Sequence, residues 1–280
     1  MAGFIASTNQ VINERFCKDI LLLSRNSFEI LYLTIEMSSN SDQAAKRAKI
    51  SSTEVSKSAQ LHSNRKQIAI LDFGSQYSHL IARRVRELNV FCELYSCQVQ
   101  ASSLENSHVI GIIFSGGPAS VYEEGSPHVD DSVWKFIEKN KIPVLGICYG
   151  MQEIAHHFGG QVTPSTEREY GRAMITMAQD HIDTAKLLFE NVENMQFWMS
   201  HGDKVSKMPI GFVNIAGTSN ANNAAIADPI NRIFGIQFHP EVTHSIHGKA
   251  VLNNFVVKVC EAPTDWNMRD IATEFIKEVR

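Results

Sequence analysis

Three side chains of this sequence have the types that nucleophilic catalysis requires. Cys148 lies in the segment Gly-Ile-Cys-Tyr-Gly-Met-Gln, and His239 and Glu241 lie far downstream in Phe-His-Pro-Glu. A thiolate nucleophile needs a base within hydrogen-bond reach, and the base needs a third group that fixes its tautomer. The sequence therefore predicts a catalytic triad in which Cys148 attacks, His239 moves the proton and Glu241 holds the imidazole.

The residues around Cys148 predict a strand-to-helix turn. The apolar run 142–147 is typical of a buried strand, and 151–158 has the apolar spacing of a helix. Such a turn is sharp and strained, so glycine is expected at 146 and 150, and the helix N-terminus favours a thiolate. An isolated cysteine is more often a buried structural residue. The two glycines and the turn favour the catalytic interpretation of Cys148.

A second strand is predicted to position the base. The apolar segment 232–238 ends just before His239, at the sheet edge where open parallel sheets carry their chemistry. Glu241 follows two residues later and can point to the same side as the imidazole. His201 is a rival base, because it lies in a predicted glycine-flanked loop with Asp203 at the same spacing. Their order along the chain does not decide which of the two histidines is the base. The predicted strand that ends just before His239 favours His239.

The body of the chain alternates strand and helix signals, as a parallel sheet requires. We expect an α/β fold with a flavodoxin-like, open, mostly parallel sheet, helices on both faces and an antiparallel extension. Beyond the segments already named, strands are predicted at 67–72, 91–95, 109–114, 171–177 and 211–216, and helices at 78–88 and 131–140.

Composition divides the chain into three regions. Residues 1–64 are predicted to be a disordered or poorly ordered extension, because 38–63 is rich in Ser, Lys, Gln and Ala. We hypothesise that translation starts at Met37 within it. Residues 65–262 form the α/β domain. Residues 263–280 are predicted to be a helical linker toward a further domain that is missing here, which favours a truncated chain.

Charge, cysteines and histidines limit the possible functions. The net charge of −4 argues against nucleic-acid binding, and no apolar run reaches membrane-spanning length. The five cysteines form no Cys-x-x-Cys pair, which favours a reducing compartment, the cytosol. His156 and His157 are adjacent on a predicted helix and point in different directions, while His244 and His247 lack zinc-site spacing. We expect no metal and no cofactor in this chain, no nucleic acid and no membrane.

These motifs resemble those of class I glutamine amidotransferases. Over about 66–260 the chain is most similar to the glutaminase part of GMP synthases, with no departure at the catalytic positions. Generic to the class are the motifs at 115–118, 146–152 and 238–241. More particular to GMP synthases are those at 72–77, 83–88, 198–205 and 239–245.

The resemblance implies a reaction and a set of site residues. Cys148 would attack the side-chain amide carbon of L-glutamine, ammonia would leave, and water would hydrolyse the thioester. The backbone N–H groups of Gly117 and Tyr149 would form the oxyanion hole. The resemblance assigns substrate binding to Gly116, Gln152, Ser200, Gly202 and Asp203.

A partner is implied as well. In GMP synthases an ATP pyrophosphatase domain or subunit uses ATP and Mg²⁺ to aminate XMP to GMP with the ammonia. That part is absent from these 280 residues. Two alternatives remain open: an amidotransferase that serves another synthetase, and a catalytically silent regulatory relative. The second predicts a lesion in the triad, and none is present.

Overall fold

The computed structural model describes residues 65–267, except for the side chains of residues 166 and 167. The predicted N-terminal extension and most of the predicted C-terminal linker lie outside this range. The strands within it are β1 (Gln67–Asp72), β2 (Cys92–Ser96), β3 (Val109–Phe114), β4 (Val144–Ile147), β5 (Gln161–Met174), β6 (Thr176–Met177), β7 (Gln196–Lys207), β8 (Val213–Gly217), β9 (Ala225–Asp228) and β10 (Ile233–Ile236).

Eight of these strands form one sheet in the order β2-β1-β3-β4-β10-β9-β8-β6. The first five strands in that order are parallel, and β9, β8 and β6 continue the sheet in antiparallel pairing. The expected flavodoxin-like, mostly parallel sheet with an antiparallel extension is confirmed. The remaining strands, β5 and β7, pair with each other in a separate antiparallel ribbon.

Helices cover both faces of the sheet, also as expected. They are α1 (Ser78–Arg86), α2 (Ala101–Glu105), α3 (Asp131–Asn140), α4 (Tyr149–His157), α5 (Ile182–Phe189) and α6 (Gly248–Asn253), with a 3-10 turn at Gln179–His181 and a π-helical segment at Asn254–Val259. Helices α1, α5 and α6 pack on one face, and α2, α3 and α4 on the other. In β1, Ile68 and Ile70 point to the first face, and Ala69 and Leu71 to the second. No helix within 65–267 is long and apolar enough to cross a bilayer.

Several element predictions need correction. The segment around His201, interpreted as a loop, belongs to the twelve-residue strand β7, where Phe197, Met199 and His201 alternate as buried positions. Its polar residues hid this alternation, and the ribbon with β5 satisfies its backbone hydrogen bonds. The strand predicted at 171–177 is split between β5 and β6. Of the predicted linker only residues 263–267 are described, and they carry no regular structure, so the helical linker stays a prediction.

Candidate active site

Cys148 lies in the sharp turn between β4 and α4 that the sequence predicts. Its backbone has φ 53° and ψ −103°, a region that non-glycine residues seldom adopt. The Cys148 N–H donates to the Ile236 carbonyl at 2.8 Å, and its carbonyl accepts from the N–H groups of Met151 and Gln152. Hydrogen bonds to both neighbouring elements therefore hold the strained turn in place.

Gly146 and Gly150 allow this turn because backbone passes very close to both of them. A Cβ atom on Gly146 would collide with the backbone of Gly150. A Cβ atom on Gly150 would lie 2.6 Å from the Cβ and carbonyl oxygen of Phe114. These two glycines are therefore required for close strand-to-helix packing, whereas the positive φ falls on Cys148 itself.

His239 and Glu241 form a buried pair at the end of β10. Nδ1 of His239 lies 2.7 Å from Oε1 of Glu241, and the two residues are 4% and 1% exposed. The backbone around them is fixed as well. The His239 N–H donates to the Trp198 carbonyl, the Ser245 hydroxyl donates to the His239 carbonyl, and Arg84 Nε donates to the Glu241 carbonyl. The imidazole is therefore held in one orientation.

The electrostatics of His239 favour a protonated ring beside the thiol. Burial lowers the pKa of His239, but hydrogen bonds to the side chains of Cys148 and Glu241 outweigh it and raise the pKa to about 11. The sulfur has further partners: Sγ contacts the Ser200 carbonyl at 3.8 Å, and Nε2 of Gln237 donates to it at 3.7 Å. The Gln237 donor favours a thiolate, and the raised pKa of His239 favours an imidazolium, so both support proton transfer from the thiol to the imidazole. The Ser200 carbonyl accepts from the thiol and favours the protonated sulfur.

A cleft of about 680 Å³ opens over the thiol and the imidazole. Eight of the residues predicted for the site line it: Cys148, His239, Gly117, Tyr149, Gln152, Ser200, Gly202 and Asp203. Glu241 lies buried behind His239. Gly116 also lies outside the cleft wall, where a Cβ atom would come within 3.2 Å of the His239 ring.

The two residues whose backbone N–H groups are predicted to form the oxyanion hole lie in contact with each other. A Cβ atom on Gly117 would lie 3.2 Å from Cγ of Tyr149 and 2.9 Å from the Phe73 carbonyl. Within the described chain, the N–H groups of Gly117 and Tyr149 donate to no protein group. The Tyr149 hydroxyl donates to the Pro127 carbonyl at 2.6 Å, and burial raises its pKa to about 12. The ring is thus anchored while the N–H remains available at the cleft.

His201 also lines the cleft, but both of its ring nitrogens have partners other than the thiol. Its Nε2 lies 3.0 Å from Oε2 of Glu169, and its Nδ1 lies 3.0 Å from the Asp203 carbonyl oxygen. Burial lowers the pKa of His201. The structure therefore pairs Cys148 with His239, and His201 with Glu169 across the β5–β7 ribbon.

Sequence reasoning missed several residues of the cleft. The carboxylate of Asp203 accepts hydrogen bonds from the Ser120 hydroxyl at 2.6 Å and the Tyr122 hydroxyl at 3.0 Å. Arg168 brings a cation to the cleft beside Gly202. The Tyr77 ring lies edge-on to His239, with 5.7 Å between ring centroids. Only Tyr77 had a signal in the sequence, since it ends the motif at 72–77.

Comparison with known proteins identifies the family. The sequence model described as "Glutamine amidotransferase class-I" matches residues 69–259. A curated protein named GMP synthase [glutamine-hydrolyzing] from Phaeosphaeria nodorum is 49% identical over 216 residues, which are 76% of this chain and 39% of that protein. A protein of the same name from Trichormus variabilis is 46% identical over 217 residues, 77% of this chain and 38% of that protein. The chain thus spans about two fifths of the curated relatives it matches.

Solved structures agree with the sequence comparison. A Thermoplasma acidophilum protein described as a GMP synthase subunit has a TM-score of 0.61 and 29% identity. The match covers 70% of this chain and 94% of that one.

Proposed function

This chain belongs to the class I glutamine amidotransferase family, and from that premise we propose that it hydrolyses L-glutamine to glutamate and ammonia. One observation carries the proposal: Cys148, on its strained turn, lines the same cleft as His239, whose Nδ1 lies 2.7 Å from Oε1 of Glu241. The cleft of about 680 Å³ above them accommodates a free amino acid.

In the first half of the reaction, His239 takes the thiol proton and the Cys148 thiolate attacks the amide carbon of glutamine. The carbonyl oxygen becomes an oxyanion, for which the N–H groups of Gly117 and Tyr149 are the available donors. The intermediate collapses, the C–N bond breaks, and His239 returns its proton to the leaving nitrogen as ammonia departs. Glu241 stabilises the imidazolium during the interval in which His239 carries the proton.

In the second half, water enters the position that ammonia vacated. His239 removes a proton from the water, and the hydroxide adds to the thioester carbon. The same two backbone N–H groups stabilise the second oxyanion. The C–S bond then breaks, glutamate leaves, and the proton returns to the thiolate, so that Cys148 and His239 regain their starting states.

The amino-acid end of the substrate also has partners in the cleft. The Arg168 guanidinium suits the α-carboxylate, because planar bidentate pairing is the strongest form of carboxylate recognition. The Asp203 carboxylate, held by Ser120 and Tyr122, suits the α-ammonium. Gln152, four residues after the nucleophile in α4, faces the same cleft and supplies an amide for the side-chain end.

We propose further that the ammonia serves GMP synthesis. Curated relatives named as glutamine-hydrolysing GMP synthases are 44% to 49% identical over the region matched. Because the chain spans about two fifths of them, the ATP pyrophosphatase part would be a further domain or a separate subunit. ATP, Mg²⁺ and XMP would bind to that part, and the reaction would take place in the cytosol.

A two-stage assay tests both levels of the proposal. The full chain is incubated with glutamine and released ammonia is measured, for the parent, Cys148→Ala and the matched control Cys97→Ala, whose cysteine lies outside the cleft. We expect ammonia from the parent and the control and none from Cys148→Ala. An ATP pyrophosphatase partner with XMP, ATP and Mg²⁺ is then added, and GMP is measured.

Each outcome has a separate meaning. Glutamine use by Cys148→Ala at the parental rate would exclude the thiol mechanism. If ammonia but no GMP forms in the second stage, XMP is not the acceptor of the ammonia. That result would support an amidotransferase that serves another synthetase.

A further inference from the structure

A second cluster of chemically capable side chains lies away from the thiol, where α4 meets the loop before α3. It consists of His128 from that loop and Glu153 and His156 from α4. One ligand atom from each residue lies within 4.8 Å of the other two. The two imidazole rings are stacked, with 5.1 Å between their centroids. Nothing in the proposed glutaminase reaction uses these residues.

The hydrogen bonds of the cluster place one imidazole nitrogen directly against the carboxylate. Nδ1 of His128 lies 2.8 Å from Oε2 of Glu153, and Nε2 lies 3.1 Å from the Ser126 hydroxyl, which itself donates to the Val121 carbonyl. A proton on Nδ1 closes the first contact as a hydrogen bond, and a metal ion that binds there takes the place of that proton.

Glu153 has the setting of a metal ligand. It is 2% exposed, and its Oε1 accepts the backbone N–H of Val129 at 2.9 Å, which fixes the carboxylate and leaves Oε2 for the cluster. Glu153 and His156 have Glu-x-x-His spacing on one helix, so both project from the same side. Ser126 is a suitable outer partner, since a ligating histidine usually donates its other N–H to an acceptor.

We propose that His128, Glu153 and His156 bind one Zn²⁺ ion, with water as the fourth ligand. Two imidazole nitrogens and one carboxylate oxygen form a ligand set that zinc accepts in three-ligand sites. A tetrahedral zinc site places ligand atoms about 3.4 Å apart, given metal–ligand distances of about 2.0–2.2 Å. Both imidazoles lie at exposed positions and can rotate to reach that spacing.

The sequence alone led us to expect no metal, because it placed His156 beside only His157. The structure directs these two rings apart, as expected: His157 stacks on Trp134 at 3.9 Å, whereas His156 meets His128. The third partner comes from a loop 25 residues before Glu153, which spacing along one helix does not reveal.

The position of the site connects it to the catalytic helix. The same loop accepts the Tyr149 hydroxyl at the Pro127 carbonyl, and α4 carries Tyr149 at its first turn. An ion that joins His128 to α4 would therefore clamp the loop onto the helix that presents the proposed oxyanion donor. Zn²⁺ should stabilise the folded chain through this clamp, whether or not glutamine turns over.

Cobalt binding provides the test. The full chain, without a histidine tag and in a Cys148→Ala background that removes the competing thiolate, is titrated with Co²⁺ while visible absorption is recorded. We expect one Co²⁺ per chain with d–d bands, displacement by Zn²⁺, and a higher thermal midpoint with Zn²⁺. His128→Ala and His156→Ala should each weaken binding at least about tenfold. His157→Ala is the matched control and should bind as the parent does.

Two results would overturn the proposal. One is the absence of saturable binding at millimolar Co²⁺. The other is equal affinity in the parent, His128→Ala and His156→Ala, which would place the ion elsewhere. Both single variants replace exposed imidazoles, so their folding can be checked by circular dichroism before the titration. Because catalysis is disabled in every protein of the series, none of these results depends on the glutaminase proposal.

Discussion

Nδ1 of His239 lies 2.7 Å from Oε1 of Glu241, and both side chains are almost completely buried. The other carboxylate oxygen, Oε2 of Glu241, is buried with no hydrogen-bond partner in the described structure. An ionised carboxylate with one free oxygen in a dry site is costly unless a nearby cation compensates it. The pair is therefore arranged for an imidazolium.

Glu241→Gln should leave the fold intact and remove most of the activity. The amide keeps the shape of the carboxylate but cannot stabilise an imidazolium, so we expect kcat to fall by about 100- to 10,000-fold. KM for glutamine should change little, because Glu241 does not line the cleft. Steady-state ammonia release measures both constants. Glu190→Gln, at an exposed ion pair with Lys258, is the control. A full parental kcat in Glu241→Gln would exclude the orienting role.

The pH dependence of kcat/KM should reflect the raised pKa of His239. A raised pKa means that the ring keeps its proton to higher pH than an ordinary histidine, whose pKa is about 6.5. The leaving nitrogen needs that proton, so activity should persist at pH 8 to 9 rather than fall above neutrality. Glu241→Gln removes one cause of the raised pKa and should move the alkaline fall to lower pH. If kcat/KM decreases at the same alkaline pH in this variant as in the parent, the alkaline decrease does not report on His239.

The turn that holds the nucleophile should not tolerate a side chain at residue 146. In Gly146→Ala the new Cβ collides with the backbone of Gly150, which cannot move without displacing α4. We expect a loss of about 1–3 kcal/mol or more in the free energy of unfolding, measured in urea. Gly202→Ala is the control for stability, because its Cβ would meet no atom closer than 3.7 Å. Equal stability of the two variants would contradict the packing argument.

The Ser120 and Tyr122 hydroxyl groups, which donate to the Asp203 carboxylate, should affect substrate binding more than the chemical step. Ser120→Ala removes the 2.6 Å hydrogen bond to Oδ2 of Asp203 and leaves the Tyr122 hydroxyl as the remaining partner. We expect KM for glutamine to rise about 3- to 30-fold with kcat nearly unchanged, because a hydrogen bond to a charged group contributes about 1.5–3 kcal/mol and Tyr122 compensates in part. A change confined to kcat would indicate that Asp203 acts on the reacting centre instead.

The elements that the sequence predicted are those whose signals all lie within one short segment of the chain. The strand before Cys148, the turn and α4 follow from an apolar run, two glycines and helical spacing within about 17 residues. Strand β7 was missed because Trp198 interrupts the alternation of the buried Phe197 and Met199 and mostly polar residues follow them. Strand β9 was missed because Ala225–Asp228 is short and alanine-rich.

Contacts between distant segments had no signal in the sequence. Ser120 reaches Asp203 across 83 residues, and His128 reaches Glu153 across 25. Both contacts join loops to elements whose relative position is set by the packing of the whole sheet. A single sequence therefore shows which residues can do chemistry, while the fold decides which of them meet.

The buried pair of His201 and Glu169 should make the stability of the β5–β7 ribbon sensitive to acid. Burial lowers the pKa of His201, with the nearby His239 acting in the same direction and Glu169 opposing. A histidine whose pKa is lower in the folded state binds its proton more readily when unfolded, so its contribution to stability is present above about pH 6.5 and is lost as pH falls. His201→Asn removes this titration. The difference in the free energy of unfolding between parent and variant should therefore narrow between pH 7.5 and pH 5, as measured by urea denaturation. A difference that widens on acidification would mean that Glu169 dominates and that the ring is charged in the folded protein.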